Sequence, residues 1–130
     1  MGMEQRFITI TFGGVTVEAV LNESRVAGMV WDRLPINARA NTWGDEIYFD
    51  IPVKTSLDSP VGEVRKWDIG YWPDGACFCI FFGPTPVSRG GTIKPASDVE
   101  VIGKLVTEDY TSLKKVTDGQ PVVMRKKTEG

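Results

Sequence analysis

The sequence predicts a mainly β protein, a small barrel or sandwich of about eight strands with one good helix and one poor one. Three observations carry that expectation. Residues 7–12 and 15–21 alternate apolar and polar side chains on either side of Gly13-Gly14. Two later stretches, 42–53 and 70–87, are rich in Trp, Tyr and Phe. Turn-forming residues recur between short apolar runs along the rest of the chain.

The first two runs read as a hairpin. Ile8, Ile10 and Phe12 share one face, as do Val15, Val17, Ala19 and Leu21, with threonines and Glu18 opposite. Asn22 or Ser24 then offers an N-cap for a helix over residues 23–34. Within it Ala27, Val30, Trp31 and Leu34 fall at helical spacing, and Pro35 ends it. Residues 36–42 read as a strand, broken by Trp43-Gly44-Asp45. Residues 46–53 resume it, with Ile47, Phe49 and Ile51 on one face and Glu46, Tyr48 and Asp50 on the other. Pro52 marks an edge or a strand end.

A polar loop covers residues 54–60, and short strands are expected at 64–67 and 68–72. Pro73-Asp74-Gly75 forms a turn in which Pro pre-sets φ and Gly takes the left-handed position. Residues 76–82 are apolar on both faces, the pattern of a strand buried on both sides. After a Gly-rich loop at 88–92 come a strand over 99–104, a short helix over 109–116 and a last strand at 122–124. The basic tail Met124-Arg125-Lys126-Lys127 reads as a frayed, solvated end.

A chain of 130 residues fits one domain spanning residues 1–130. A net charge of −2 and a pI near 5.2 argue against a general nucleic-acid binder. No apolar run approaches the ~20 residues needed to span a bilayer, and no signal peptide is evident, so a cytoplasmic protein without a membrane partner is expected. The chain contains no histidine. That excludes a Ser-His-Asp triad, a Cys-His pair and any imidazole metal ligand, and leaves proton transfer to carboxylates, Lys, Tyr or water. Cys77 and Cys79 fall on one side of a strand, too close for a relaxed disulfide and too few for structural zinc. No cofactor or metal is expected.

Two strings carry a family resemblance. Thr42-Trp43-Gly44-Asp45-Glu46-Ile47-Tyr48-Phe49 is followed by Gly70-Tyr71-Trp72-Pro73-Asp74-Gly75, which runs into Cys79-Ile80-Phe81-Phe82-Gly83-Pro84-Thr85-Pro86. With the hairpin and the helix ending Leu34-Pro35-Ile36 ahead of them, they resemble the small prokaryotic cyclophilin-like family of uncharacterised proteins. The resemblance covers nearly the whole chain and implies a cyclophilin-type barrel of about eight strands. It does not imply the isomerase activity. True cyclophilins use a Phe-His-Arg strand motif, a Gln and a groove lined by Phe, Trp and His, and this chain has no such string. Asp68 also departs from the family's Gly-Asp turn.

The candidate ligand-binding residues are Trp43, Tyr48, Trp72 and Phe82, aromatics that suit a pocket if they converge on one concave surface. The expected partner is a small molecule or a peptide segment. Glu46 is the candidate general base, on the argument that burial in a barrel mouth would raise its pKa. Arg39 is a weaker catalytic candidate, and Arg65 another. A second class is a weak histidine-free peptidyl-prolyl isomerase, in which Arg39 or Arg65 over an aromatic floor would bond the proline amide nitrogen or its carbonyl and lower the ~18–20 kcal/mol barrier to X-Pro rotation. A third class is a small-molecule amide-hydrolysing enzyme or subunit with Glu46 as a site carboxylate. Ser88-Arg89-Gly90-Gly91 reads as plain loop chemistry, since no P-loop context surrounds it. Aromatics on an exposed barrel face are equally compatible with a homodimer interface.

Overall fold

In the computed structural model, which describes residues 5–127, nine strands form one sheet and two short helices pack on it. The strands are β1 (Arg6–Phe12), β2 (Val15–Leu21), β3 (Ile36–Arg39), β4 (Asn41–Thr42), β5 (Glu46–Asp50), β6 (Asp68–Trp72), β7 (Cys77–Phe81), β8 (Glu100–Leu105) and β9 (Pro121–Lys126). The helices are α1 (Arg25–Arg33) and α2 (Tyr110–Lys114). The sheet order is β3-β9-β1-β2-β8-β6-β7-β5-β4. Its two end strands are separated in the chain by Ala40 alone, so one bent strand pairs with β9 through its first half and with β5 through its second. That bend nearly closes the sheet into a barrel.

The expected hairpin forms in register, from Arg6 opposite Leu21 to Phe12 opposite Val15. Ile8, Ile10 and Phe12 of β1 and Val17, Ala19 and Leu21 of β2 point inward, where Ile47, Phe49, Phe78, Ile80, Ile69 and Tyr71 meet them. Phe49 stacks on Phe78 at 5.2 Å and meets Phe12 edge-on at 6.5 Å. The helices add Val26, Ala27, Val30 and Leu113 to this core.

Several expectations need correction. The helix starts two residues late because Ser24, not Asn22, caps it: Ser24 Oγ accepts from the Ala27 N–H. Asn22 is tied to β8 instead, through Nδ2 to the Val101 carbonyl. Residues 64–67 form no strand; Val64 makes only an isolated bridge to Ile93. The strand expected over 46–53 ends at Asp50, after which Ile51 N–H turns to the Ala76 carbonyl. In the turn after β6 the left-handed residue is Ala76 (φ 52°), not Gly75. The basic tail is no frayed end over the described residues. Arg125 and Lys126 pair with β1, and Lys127 Nζ lies 2.9 Å from Glu18. Residues 128–130 lie outside the described chain. Among the described residues, no helix is long and apolar enough to cross a membrane.

The strands β5, β7 and β6 are covered on their outer face as well. Residues 61–64 and segment 83–99 fold back over them, pinned by bridges between Val61 and Val99 and between Val64 and Ile93, while Ile51, Val53 and Leu57 of the preceding stretch pack into the main core. Buried Glu100 holds that stretch by accepting from the Asp58 and Ser59 N–H groups. The Tyr71 hydroxyl holds it too, donating to the Val53 carbonyl at 2.7 Å. Cys77, Cys79, Phe81, Val64, Ile93 and Val99 make a second, smaller apolar cluster there.

Candidate functional site

The outer face of β5, β7 and β6 is built from rows of paired residues. Tyr48 stands opposite Cys79, which stands opposite Gly70; Asp50 stands opposite Cys77, which stands opposite Trp72; Glu46 stands opposite Phe81. In a pleated sheet, residues in one row share a face. The middle strand therefore offers a small side chain, Cys79, and the strand beyond offers none at Gly70. A hollow remains between the larger neighbours.

That hollow is a pocket of about 130 Å³ lined by Trp43, Glu46, Tyr48, Trp72, Pro95, Ala96 and Val99. Pro95 and Ala96 come from the covering segment 83–99. Val99 sits over Gly70, where a Cβ would meet its side chain at 3.2 Å, so glycine is what lets that segment approach. Gly75 has a similar role. A Cβ there would meet the Trp72 ring at 2.8 Å, so the absent side chain makes room for the indole. The indole is then fixed by a relay: Trp72 Nε1 donates to Ser97 Oγ at 2.7 Å, and Ser97 Oγ donates to Asp74 Oδ2 at 2.7 Å.

Trp43 enters from the tight turn between β4 and β5, where Gly44 has φ +60° and a Cβ would meet the Pro84 carbonyl at 2.9 Å. Trp43 N–H donates to the Glu46 carbonyl and Glu46 N–H to the Trp43 carbonyl, closing the turn. The pocket's carboxyl is Glu46, which is only 6% exposed. Its neighbour Asp45 points the other way and is neutralised. It accepts from Lys114 Nζ at 2.7 Å and from the Tyr110 hydroxyl at 2.9 Å. Glu46 has no such partner: among the described residues no ion pair reaches it, and the nearby Cys79 thiol donates to the Cys77 carbonyl at 3.9 Å. Burial pushes its pKa up from 4.5 to about 7, partly offset by that thiol. The two cysteines are held as neutral thiols. Burial pushes Cys77 up to about 12, helped by a hydrogen bond to Asp50, and Cys79 well above its ordinary value, helped by the Glu46 charge.

Of the aromatics singled out from sequence, Trp43, Tyr48 and Trp72 meet in this pocket. Phe82 does not. It is buried in the barrel core and packs edge-on to Tyr110 at 5.5 Å, beside a separate open groove of about 900 Å³. Arg65 lines that groove with Lys66 and Arg89. Arg39 is exposed on β3, donating to the Gly119 carbonyl at 2.9 Å, and is not part of the aromatic pocket. Glu46 joins the pocket, but on the outer face of the barrel rather than in its mouth. Pro95, Ala96 and Val99 escaped sequence reasoning because nothing local marks a loop that folds back over a strand.

A family model described as cyclophilin-like matches residues 6–125. Among solved structures, the chain is similar to a hypothetical protein from Archaeoglobus fulgidus determined in solution. The two are 36% identical, the match covers 98% of this chain and 100% of that one, and the TM-score is 0.81. It also shares a fold with McbB, solved in complex with tryptophan, at 18% identity and a TM-score of 0.70. That match covers 95% of this chain and 45% of McbB. No curated protein matches the chain.

Proposed function

The chain belongs to the cyclophilin-like family, and on that premise we propose that it is a binding domain whose outer-face pocket captures a small molecule or a peptide segment. The observation that carries this reading is the convergence of Trp43, Tyr48 and Trp72 around the buried carboxyl of Glu46. Concave, mainly apolar walls with one placed polar group are what small-ligand sites require. At about 130 Å³ the cavity is smaller than the ~300 Å³ at the low end of drug-sized sites, which suits a single ring or head group. The fixed Trp72 indole and the glycine-shaped floor make the pocket preformed, which lowers the ordering cost of binding. McbB, which shares the fold over 45% of its own length, is itself solved with tryptophan bound.

Arg39 gives the isomerase alternative no support, because it is bound to the Gly119 carbonyl away from the aromatic pocket. A second reading, proton transfer by Glu46 in an amide-cleaving reaction, is favoured by one observation: a carboxyl near pKa 7 is matched to general-base work at neutral pH. The binding reading is tested by adding a fragment library to 15N-labelled protein and following the four indole N–H signals. Binders should move Trp43 and Trp72 and leave Trp31 and Trp67 in place. Fragments that move none of them, or all four alike, contradict it.

A further inference from the structure

We infer that the pocket selects organic ammonium groups, carried by a free small molecule or by a side chain of a peptide. The inference rests on the binding reading above and names its ligand class. The lining has three aromatic side chains, three small apolar residues and one carboxylate, and no lysine or arginine stands among them. A buried carboxylate without a cation is costly, and proteins normally pair it. Four of the chain's cations are engaged elsewhere, and none of its fifteen Lys and Arg lines the pocket. Lys114 is on Asp45, Lys127 on Glu18, Arg25 on Asp58, Arg39 on the Gly119 carbonyl.

Glu46 answers burial by holding its proton up to about pH 7, and above that the cation that would pair its charge is a ligand's. Aromatic walls favour the same ligand, since ring faces attract cations within about 6 Å, most strongly when water is excluded. A cavity of about 130 Å³ brings a bound head group close to all three rings at once. An anionic ligand meets the opposite situation: the Glu46 charge and rings that offer it negative faces. The other titratable groups facing Glu46 are Tyr48 on its own strand and Cys79 and Cys77 on β7, all held neutral near pH 7.

The test is a matched titration at pH 8, where Glu46 is charged, using tetramethylammonium and its neutral isostere tert-butanol, with the Trp43 and Trp72 indole signals as readout. A second arm uses a short lysine-containing peptide to separate the two sources of ammonium. Wild type should bind the cation at least about tenfold more tightly than the alcohol. Glu46→Gln should remove most of that preference by weakening cation binding at least about tenfold. Trp72→Leu should weaken both. Equal binding of cation and alcohol, unchanged by Glu46→Gln, overturns the ammonium inference and leaves the pocket reading standing. Neither ammonium source binding, while fragments still move Trp43 and Trp72, overturns it in the same way. Failure of the fragments as well removes the pocket reading itself.

Discussion

On the inner face of β5, β7 and β6 the rows are Phe49–Phe78–Tyr71 and Ile47–Ile80–Ile69; on the outer face they include Tyr48–Cys79–Gly70 and Asp50–Cys77–Trp72. The backbone is the same and the pleat is the same. Inside, every strand contributes a bulky apolar side chain, and the space is filled. Outside, the middle positions Cys77 and Cys79 are small while Phe81 fills its own place opposite Glu46, and the large side chains stand around the two cysteines. The pocket is thus a consequence of side-chain volume along one pair of rows. Close packing on one face and a hollow on the other come from the choice of residue at Cys79 and Gly70.

The two faces should differ most when each is truncated in turn. Phe49→Ala should cost about 3–5 kcal/mol of unfolding free energy, since it opens a cavity against Phe12 and Phe78. Tyr48→Ala, one position along the strand but half-exposed, should cost less than about half of that and act mainly on ligand binding. Urea denaturation measures both, and equal losses would mean that the outer face is core as well.

The next effect is in pH dependence. Glu46 holds its proton in the folded state up to about pH 7, against 4.5 for an ordinary carboxyl. Between those values the folded protein binds a proton that the unfolded chain has released. Stability from this group is therefore full below about pH 4.5 and is lost as pH rises through 7. A gap of about 2.5 pH units corresponds to at most about 3 kcal/mol. Glu46→Gln should flatten that part of the stability profile, and a profile unchanged by the substitution would show that Glu46 is well solvated.

A smaller effect follows from filling the hollow. Cys79→Leu should cost about 1–3 kcal/mol through crowding against Tyr48, Trp72 and Val99, and should abolish ligand-induced shifts of the Trp43 and Trp72 indoles. The smallest effect belongs to Arg39→Ala. It removes one exposed hydrogen bond to Gly119, so stability should change by less than about 1 kcal/mol and binding not at all. Loss of binding in that variant would bring Arg39 back into the site.

Much of the barrel was legible in the sequence because period-two alternation and turn chemistry are local signals. The hairpin around Gly13-Gly14, the two-sided burial of β7 and the opposed faces of β5 all follow from them. The site was legible only in part. Trp43, Tyr48, Trp72 and Glu46 were visible as residue types, and alternation put Glu46 and Tyr48 on one face. Their convergence depends on sheet order, which places β7 between β5 and β6, and on segments that cover the outer face through contacts distant in sequence. Phe82 lies three residues beyond Cys79, so alternation puts it on the inner face with Phe78 and Ile80, where it packs against Tyr110, and its aromatic character alone did not reveal that. Gly75 illustrates the limit from the other side. Its turn was expected from Pro73-Asp74-Gly75, but the reason for glycine is the Trp72 ring, not a left-handed backbone.

What sets the outer face apart from an ordinary second core is a carboxyl held in an apolar pocket without a cation. Titrating the side-chain carboxyl carbon of Glu46 by NMR, with Glu46→Gln to assign the signal, measures that directly. The account predicts a midpoint near pH 7 that falls when an ammonium ligand is present. A midpoint at the ordinary carboxylate value, unmoved by any ligand, would contradict it.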